Sequence, residues 1–314
     1  MALLCFLPTV YTLTRLIAAR ANGSAVGDPG TLSRLIVLTL STAFFLWLVR
    51  FRPSWGFLRD VMPFLFCAIF YANLHDLMVF YRTRDITPDL YKWDVRLFGL
   101  EPTIWAQRFI HPFLTDYFTV CYWSFYVCGP FLGLLLYLKK DWRPFRYTMV
   151  SLVFCLYLGY VGYVAWPASA PRLAIPEAYS VPLQGGSTFL DYTRAATAAV
   201  PLTAYGAFPS LHCAIALLAL LLAWKHLRWF FWAQLPLCVG LIVGTVYLRH
   251  HWVVDILAGF VLTFLALWLG PIMEDAWLRM GERAVGAEES AAALPVTAVV
   301  ERDGADRAGH RAGV

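Results

Sequence analysis

Apolar runs long enough to cross a membrane follow one another along most of this 314-residue chain. A helix needs about 20 apolar residues to span the hydrocarbon core, where no water is present to bond the backbone groups. The chain is 60% hydrophobic and 14% charged, whereas soluble domains average about 25% charged residues. We therefore predict an all-α fold, a polytopic membrane helical bundle of about eight transmembrane helices. The predicted spans lie at about 2–19, 31–49, 61–81, 112–138, 147–166, 208–223, 229–248 and 252–273.

Composition divides the chain into three regions. Residues 1–60 hold the first transmembrane helices, residues 61–281 form the membrane domain that carries the candidate chemistry, and residues 282–314 form a tail. The tail is rich in Ala, Gly, Glu and Arg without an apolar period, so we predict that it is disordered and cytoplasmic. The triplet Ala19-Arg20-Ala21 resembles a signal-peptidase site, but no basic residue precedes the first apolar run. Whether that run is retained stays open.

The distribution of basic residues predicts the orientation. Lys and Arg are concentrated in three joints between apolar runs, and such joints stay on the cytoplasmic side. An alternating path then places the other joints outside and both termini in the cytoplasm. The formal net charge of +5 is explained by this topology, without a nucleic-acid partner. The basic joints are 50–60, 139–146 and 224–228, and the outer segments are 20–30, 82–111, 167–207 and 249–251.

One polar motif stands at the start of an apolar helix, where membrane proteins rarely hold titratable residues without a use. It reads Gly206-Ala207-Phe208-Pro209-Ser210-Leu211-His212. Pro209 is suited to a first helical turn and Ser210 to a helix cap. We expect free amide groups beside His212, which favour an anion such as phosphate.

A second motif precedes the last apolar run and contains His250, His251 and Asp255. On a helix His251 and Asp255 share one face, because they are four residues apart. The carboxylate can then accept a hydrogen bond from one ring nitrogen and leave the other nitrogen free to attack phosphorus. His250 has Val254 at the matching offset, so we assign the nucleophile to His251.

Both motifs emerge on the outer face of the predicted topology, beside the long outer loop 167–207. The basic residues Arg172 and Arg249 lie in these outer segments and suit the equatorial oxygens of a phosphoryl group. We interpret the aromatic cluster at 122–126 as helix packing and an interfacial belt. Asn73, His75 and Asp76 form a further polar cluster that either lines a cavity or bonds neighbouring helices.

These residues resemble the type 2 phosphatidic acid phosphatase superfamily, and more closely its inositol phosphorylceramide synthase-like branch. The Ser-x-His pair Ser210/His212 and the His-x-x-x-Asp pair His251/Asp255 carry the resemblance, together with the Pro-x-x-x-Pro-Arg run that ends at Arg172. Asp94, Leu97-Phe98-Gly99 and Pro102 are a weaker upstream match. The resemblance implies a six-helix core, a phosphohistidine on His251, and His212 as the acid and base. It also implies that Ser210, Arg172 and Arg249 bind the phosphate.

The chain departs from the superfamily pattern at two places. The usual arginine six residues before the nucleophile is replaced by Thr245. The usual first motif is absent, since Lys139 and Arg143-Pro144 have the wrong spacing and lie on the predicted cytoplasmic side. The positive charge for the phosphate is therefore expected from Arg172 and Arg249.

Our leading hypothesis is a lipid phosphotransferase that moves a phosphorylated head group, for example phosphoinositol, from a phospholipid to a lipid hydroxyl. The alternative within the same chemistry is a lipid phosphate phosphatase with water as acceptor. Neither needs a metal or another cofactor. A transporter with intramembrane charges, or a metal hydrolase that uses His212, His250, His251 and Asp255 as ligands, comes from a different class. The sequence leaves the head group, the acceptor and the oligomeric state open.

The seven cysteines lie in apolar stretches without C-x-x-C spacing, so we interpret them as buried hydrophobic side chains.

Overall fold

The computed structural model describes residues 30–52, 54–81, 84–198 and 205–292. Over these ranges the backbone is helical apart from its connections, with one isolated parallel bridge between Ala168 and Gly206 and no β-strand. The predicted all-α fold is thus confirmed. The helices are α1 (Gly30–Phe51), α2 (Gly56–Tyr81), α3 (Thr87–Phe98), α4 (Pro102–Trp105), α5 (Pro112–Leu138), α6 (Trp142–Ala165), α7 (Pro171–Ala174), α8 (Thr188–Ala198), α9 (Leu211–His226), α10 (Arg228–Tyr247) and α11 (Val253–Ala292).

Every predicted span from residue 31 onward coincides with one helix of the bundle, whereas the run 2–19 lies outside the described residues. Among the described residues, four helices are long and apolar enough to cross a membrane, and α1 and α9 contain shorter apolar stretches. The total of about eight crossings stays a prediction. The four long spans are Pro112–Leu138, Trp142–Ala165, Arg228–Tyr247 and Val253–Met280.

Several helix boundaries differ from the predicted runs, since α2 begins at Gly56 and α6 at Trp142, each five residues early. The boundaries of α9 and α11 differ in ways that bear on the motif and on the tail. Helix α9 begins at Leu211, not at residue 208, because Ser210 caps it and Pro209 precedes the cap. Helix α11 continues to Ala292, beyond the predicted start of the tail at residue 282. The sequence of residues 282–292 is rich in Ala and Glu, which are good helix formers. Residues 293–314 lie outside the described part.

Helix α6 packs against α2, α5 and α9, and α10 packs against α5 and α9. The shared core consists of buried aliphatic side chains such as Leu132, Leu152 and Leu218. Lipid tails are as apolar as leucine, so close van der Waals contact is what holds such helices together. At Gly259 of α11, a Cβ would lie 2.5 Å from the Ser210 carbonyl oxygen. Glycine at this position therefore lets the start of α9 approach α11.

The loops that carry the motifs meet at one end of the bundle. The Ala207 amide donates to the Ala168 carbonyl over 2.9 Å, and the Trp252 indole Nε1 donates to the Ser169 carbonyl over 2.9 Å. The Arg172 amide donates to the Arg249 carbonyl over 3.1 Å. These hydrogen bonds hold the segments 166–172, 205–210 and 248–252 together, although they are distant in sequence.

Asn73, His75 and Asp76 lie within α2. Their side chains lie outside the described part of the structure, and the choice between a cavity and a helix contact stays open.

Candidate active site

Ser210 joins the starts of α9 and α11 through two hydrogen bonds. Its Oγ accepts from the Cys213 amide over 3.4 Å, and its own amide donates to the Asp255 carbonyl over 3.0 Å. Ser210 is fully buried. The residue is therefore a helix cap, as its position predicted. Pro209 does not open the helix; it packs on α6, where a Cβ at Gly162 would lie 2.4 Å from the proline Cδ.

His251 and Asp255 form the predicted pair at the start of α11. His251 Nδ1 lies 3.3 Å from Asp255 Oδ2, its hydrogen-bond acceptor, and both side chains are almost fully buried. Asp255 Oδ2 also accepts from the Trp252 amide over 3.1 Å, which fixes the carboxylate. Because a carboxylate is an acceptor, the proton of the neutral His251 ring lies on Nδ1. The Nε2 lone pair is then available.

His212 completes a chain of hydrogen bonds that ends on this lone pair. Its Nδ1 lies 3.2 Å from His251 Nε2, and its Nε2 lies 2.8 Å from the Tyr122 hydroxyl. Since His251 Nε2 is the acceptor, His212 Nδ1 carries the donated proton and His212 Nε2 accepts from Tyr122. The order of donation is thus Tyr122 to His212 to His251 to Asp255. In this arrangement a nitrogen with a free lone pair and a proton-carrying nitrogen lie side by side.

Arg172 brings positive charge next to the histidines. Its Nη1 contacts His250 Nδ1, and its Nε is buried without a hydrogen-bond partner among the described residues. Burial lowers the pKa of Arg172 from its usual value. A buried donor without a partner costs free energy of about 1–3 kcal/mol, so a phosphate oxygen is a suitable partner for this group.

Arg249 contacts other residues at the same end of the bundle. Its guanidinium lies 4.0 Å from the centre of the Tyr179 ring, and one of its terminal nitrogens donates to the Val181 carbonyl. The residue has a positive φ of 63°. Its side chain thus holds the loop around residues 179–181, and its main-chain carbonyl holds Arg172. The phosphate-binding role predicted for Arg249 stays a prediction.

Asp94 of α3 fixes the start of α11 from a distance. Its two carboxylate oxygens accept from the Val253 amide over 2.8 Å and from the Val254 amide over 2.9 Å. The side chain is fully buried, and burial raises the pKa of this carboxyl. Asp94 therefore acts as an N-cap supplied by another helix, immediately after His251.

The protonation states of the loop histidines follow from their surroundings. Burial first, and then the charge of Arg172, lower the pKa of His251 to about 3. The same two causes lower the pKa of His250 well below its usual range. Both rings are consequently neutral near pH 7, the form that a nitrogen nucleophile requires.

Sequence reasoning missed two polar contributors to this site. Tyr122 was assigned to helix packing, yet its hydroxyl bonds to His212 and its ring stacks on His212 and His250. Arg194 of α8 donates to Thr119 over 3.0 Å, and its charge adds to the lowering of the His250 pKa. The only sequence signal was the position of Arg194 in the long outer loop.

The metal-hydrolase alternative has its residues in the same place, but they bond to other groups. His212, His251 and Asp255 bond in series, and His250 bonds to Arg172. Within the described ranges, no group of three or more His, Cys, Asp and Glu side chains has an arrangement suited to a metal ion. The side chains of the two motifs lie together at one end of the described helices, in contrast to the distributed relay of a transporter.

Comparison with known proteins gives two matches. The family model described as the PAP2 superfamily, the type 2 phosphatidic acid phosphatases, matches residues 88–269. A Bacteroides thetaiotaomicron protein named phosphoinositol dihydroceramide synthase is 30% identical over 182 residues, which cover 49% of this chain and 58% of that protein. The match thus spans little more than half the length of this curated relative. No solved structure matches the chain.

Proposed function

Because this chain belongs to the PAP2 superfamily, we propose that it is an integral membrane lipid phosphotransferase with a histidine nucleophile. Its apolar helices and its family make it a membrane protein. The proposed reaction moves a phosphorylated head group, such as phosphoinositol, from a phospholipid to a lipid hydroxyl. The name of the Bacteroides relative supports a head group and an acceptor of this kind.

The observation that carries the proposal is the hydrogen-bonded series from Tyr122 through His212 and His251 to Asp255. It leaves a lone pair on His251 Nε2 and a proton on His212 Nδ1, 3.2 Å apart. A covalent phosphoryl transfer needs a nucleophile and a proton donor that act on the same phosphorus centre. Arg172 beside them supports the stabilisation of charge on the equatorial oxygens.

In the first half-reaction, His251 Nε2 attacks phosphorus and forms an N–P bond while the bond from phosphorus to the diacylglycerol oxygen breaks. His212 has to enter this step as imidazolium, taking up a proton as the anionic substrate binds. The leaving oxygen takes the His212 proton, so a neutral diacylglycerol departs. Substrate binding must also break the hydrogen bond between His212 and His251, because the lone pair on His251 Nε2 is needed to attack phosphorus.

In the second half-reaction, neutral His212 takes the proton of the acceptor hydroxyl. The acceptor oxygen attacks phosphorus, the N–P bond breaks, and the electron pair returns to His251 Nε2. Asp255 holds the His251 ring in one orientation throughout. Water in place of a lipid hydroxyl would complete the same cycle as a phosphatase.

The Ser210 hydroxyl and the Arg172 guanidinium are the proposed phosphate ligands, with Arg249 as a third candidate. The positive-inside rule supports an outer location for the site, since the basic joint 139–146 lies at the opposite ends of α5 and α6. The lipid phosphate would thus enter from the outer leaflet.

The test uses the purified full chain in liposomes with phosphatidylinositol that is labelled in its phosphate, together with ceramide or diacylglycerol. We expect a labelled lipid product and, after rapid denaturation, an acid-labile phosphorus label on the protein. His251→Gln should lose both signals. His111→Gln is the matched control, because His111 caps the start of α5 through Phe113 at the same end of the bundle.

Wild-type turnover by His251→Gln would overturn the nucleophile assignment. Release of labelled inositol phosphate or phosphate without a labelled lipid product would overturn the transferase proposal and favour the phosphatase. Cysteine labelling of residues in the joint 139–141 from outside intact cells would overturn the proposed sidedness.

A further inference from the structure

We infer that His250 is a positioning residue that holds the guanidinium of Arg172 for the phosphate. This inference rests on the proposed phosphoryl transfer and extends it to a side chain with no role in the steps above. His250 Nδ1 contacts Arg172 Nη1, and the imidazole is buried. The two adjacent histidines then have different roles. His251 attacks phosphorus, and His250 orients the Arg172 guanidinium, which stabilises the negative charge on the phosphate.

The donor and acceptor properties of the two groups determine the direction of this contact. A guanidinium has five donors and no acceptor, so Nδ1 of His250 has to supply a lone pair. The ring proton of His250 therefore lies on Nε2. The tautomer is opposite to that of His251, where Nδ1 carries the proton toward Asp255. The two neighbouring histidines, His250 and His251, thus carry their ring protons on different nitrogens.

Arg172 is held twice by the short segment that contains both histidines. Its main-chain amide donates to the Arg249 carbonyl over 3.1 Å, and its guanidinium donates to the next residue, His250. A long, flexible side chain loses rotamer freedom when it is ordered before the ligand arrives. Prior ordering by His250 lowers the cost of binding at the moment when phosphate enters.

The ring of His250 is itself fixed by stacking. It lies 4.4 Å from the Tyr122 ring with an interplanar angle of 18°, and the His250 amide donates to the Thr245 carbonyl over 2.8 Å. Tyr122 also bonds to His212, so its ring connects the acid and base with the group that orients the cation.

A protonated His250 would turn its Nδ1 into a donor and repel Arg172. The charged and titratable groups around it come from several elements: Arg172 from α7, His212 from α9, Arg194 from α8, Tyr122 from α5 and the adjacent His251. The positive charges of Arg172 and Arg194 both disfavour a proton on the His250 ring. Burial and these charges keep the pKa of His250 low, so the contact survives at neutral pH.

Two substitutions at this position separate the acceptor from the bulk of the ring. In His250→Asn the amide oxygen can occupy the place of Nδ1, whereas in His250→Gln the amide reaches the place of Nε2. Hydrogen bonds to charged groups correspond to about 10-fold to 100-fold in an equilibrium constant. We expect His250→Gln to lower kcat/KM by about this factor, and His250→Asn to recover most of the loss.

A double-mutant cycle with Arg172→Ala distinguishes positioning from a merely structural role. If His250 acts through Arg172, His250→Gln causes no further loss of kcat/KM in the Arg172→Ala background. Binding of inorganic phosphate or vanadate, measured by its stabilisation of the protein against heat, should weaken in parallel in His250→Gln and Arg172→Ala. This second readout does not depend on turnover, so it tests the inference even if no lipid acceptor is found.

Equal losses in the Asn and Gln variants, or an additive loss in the Arg172→Ala background, would overturn the inference. Phosphate or vanadate binding in His250→Gln as tight as in the wild type would do the same. Should His251→Gln remain fully active while these anion-binding losses appear, the proposed nucleophile would fail and the orientation of Arg172 would stand.

Discussion

Replacement of Asp94 by Ala tests how α3 supports His251, the proposed nucleophile, without contacting its side chain. The Asp94 carboxylate accepts from the amides of Val253 and Val254, over 2.8 and 2.9 Å, and it is fully buried. These amides are the first of α11, two residues after His251. Removal of the carboxylate leaves two buried N–H groups without their partner, at the point where the orientation of His251 is set.

The size of the effect follows from these two contacts. A hydrogen bond to a charged group contributes about 1.5–3 kcal/mol, so the loss of both would cost about 3–5 kcal/mol after some relaxation. For a domain of this size, that corresponds to a fall of about 10 °C in the melting midpoint. A displacement of His251 by about 1 Å would also lower kcat by about 100-fold. Asp94→Asn keeps one acceptor and should show about half of the stability loss.

The assay is thermal unfolding of the detergent-purified protein followed by tryptophan fluorescence, with turnover measured on the same samples. Asp89→Ala is a matched control on α3, because Asp89 pairs with Arg84, whose side chain is 80% exposed. Such exposed pairs contribute less than about 1 kcal/mol. Equal melting midpoints and rates for the Asp94 and Asp89 variants would refute the capping argument.

Three further predictions concern the packing and protonation of the site. Gly259→Ala should destabilise the protein by about 1–3 kcal/mol, because the new Cβ would lie 2.5 Å from the Ser210 carbonyl oxygen. Gly129→Ala is the control in the same melting assay, because its nearest contacts would be at 3.6 Å. Tyr122→Phe should lower kcat by about 10-fold with little change in KM, since it removes the hydroxyl that bonds to His212; an unchanged kcat contradicts this. The pKa of His251 is about 3 in the folded protein, below the usual value near 6.5. Between these two values the unfolded chain binds a proton that the folded protein does not bind. The contribution of His251 to folding stability is therefore complete above pH 6.5 and is lost as the pH falls toward 3. The stability difference between wild type and His251→Gln should therefore shrink over that range, by up to about 1.4 kcal/mol per pH unit.

Local signals account for the parts of the fold that could be predicted from the sequence. The length and hydropathy of each run predicted the helices from residue 31 onward, and the four-residue offset predicted the contact between His251 and Asp255. These features depend on helical periodicity alone. Even the error at the start of α9 is local, because a serine cap after a proline shifts the first helical residue to Leu211.

Contacts between distant parts of the chain could not be predicted in the same way. Tyr122 and His212 are 90 positions apart, and Asp94 and Val253 are 159 positions apart. No periodicity connects such pairs, because they meet only after several helices have packed. The direction of a long side chain is similarly undetermined by sequence, so the contacts of Arg249 with Tyr179 and Val181 could not be predicted.

The substitution of Thr245 for the usual arginine of the superfamily leads to a final prediction. Thr245 is fully buried; its Oγ1 donates to the Ile242 carbonyl over 2.8 Å and lies 3.6 Å from Cys213 Sγ. A guanidinium placed there would overpack the contact between α9 and α10 and leave a buried charge unpaired. Thr245→Arg should therefore fail to restore activity to Arg172→Ala, and it should lower the melting midpoint.

Thr245→Ser is the control for this experiment, because it keeps the hydroxyl. Recovery of more than about a tenth of wild-type kcat/KM in the Arg172→Ala, Thr245→Arg protein, a gain equivalent to about 1.4 kcal/mol, would show that the position can still serve the phosphate. The expected failure has a physical cause in the loop after α6. Because the Arg249 carbonyl and His250 hold Arg172 in place, we expect the positive charge at the phosphate to come from Arg172, in the segment after α6, and not from the last turn of α10.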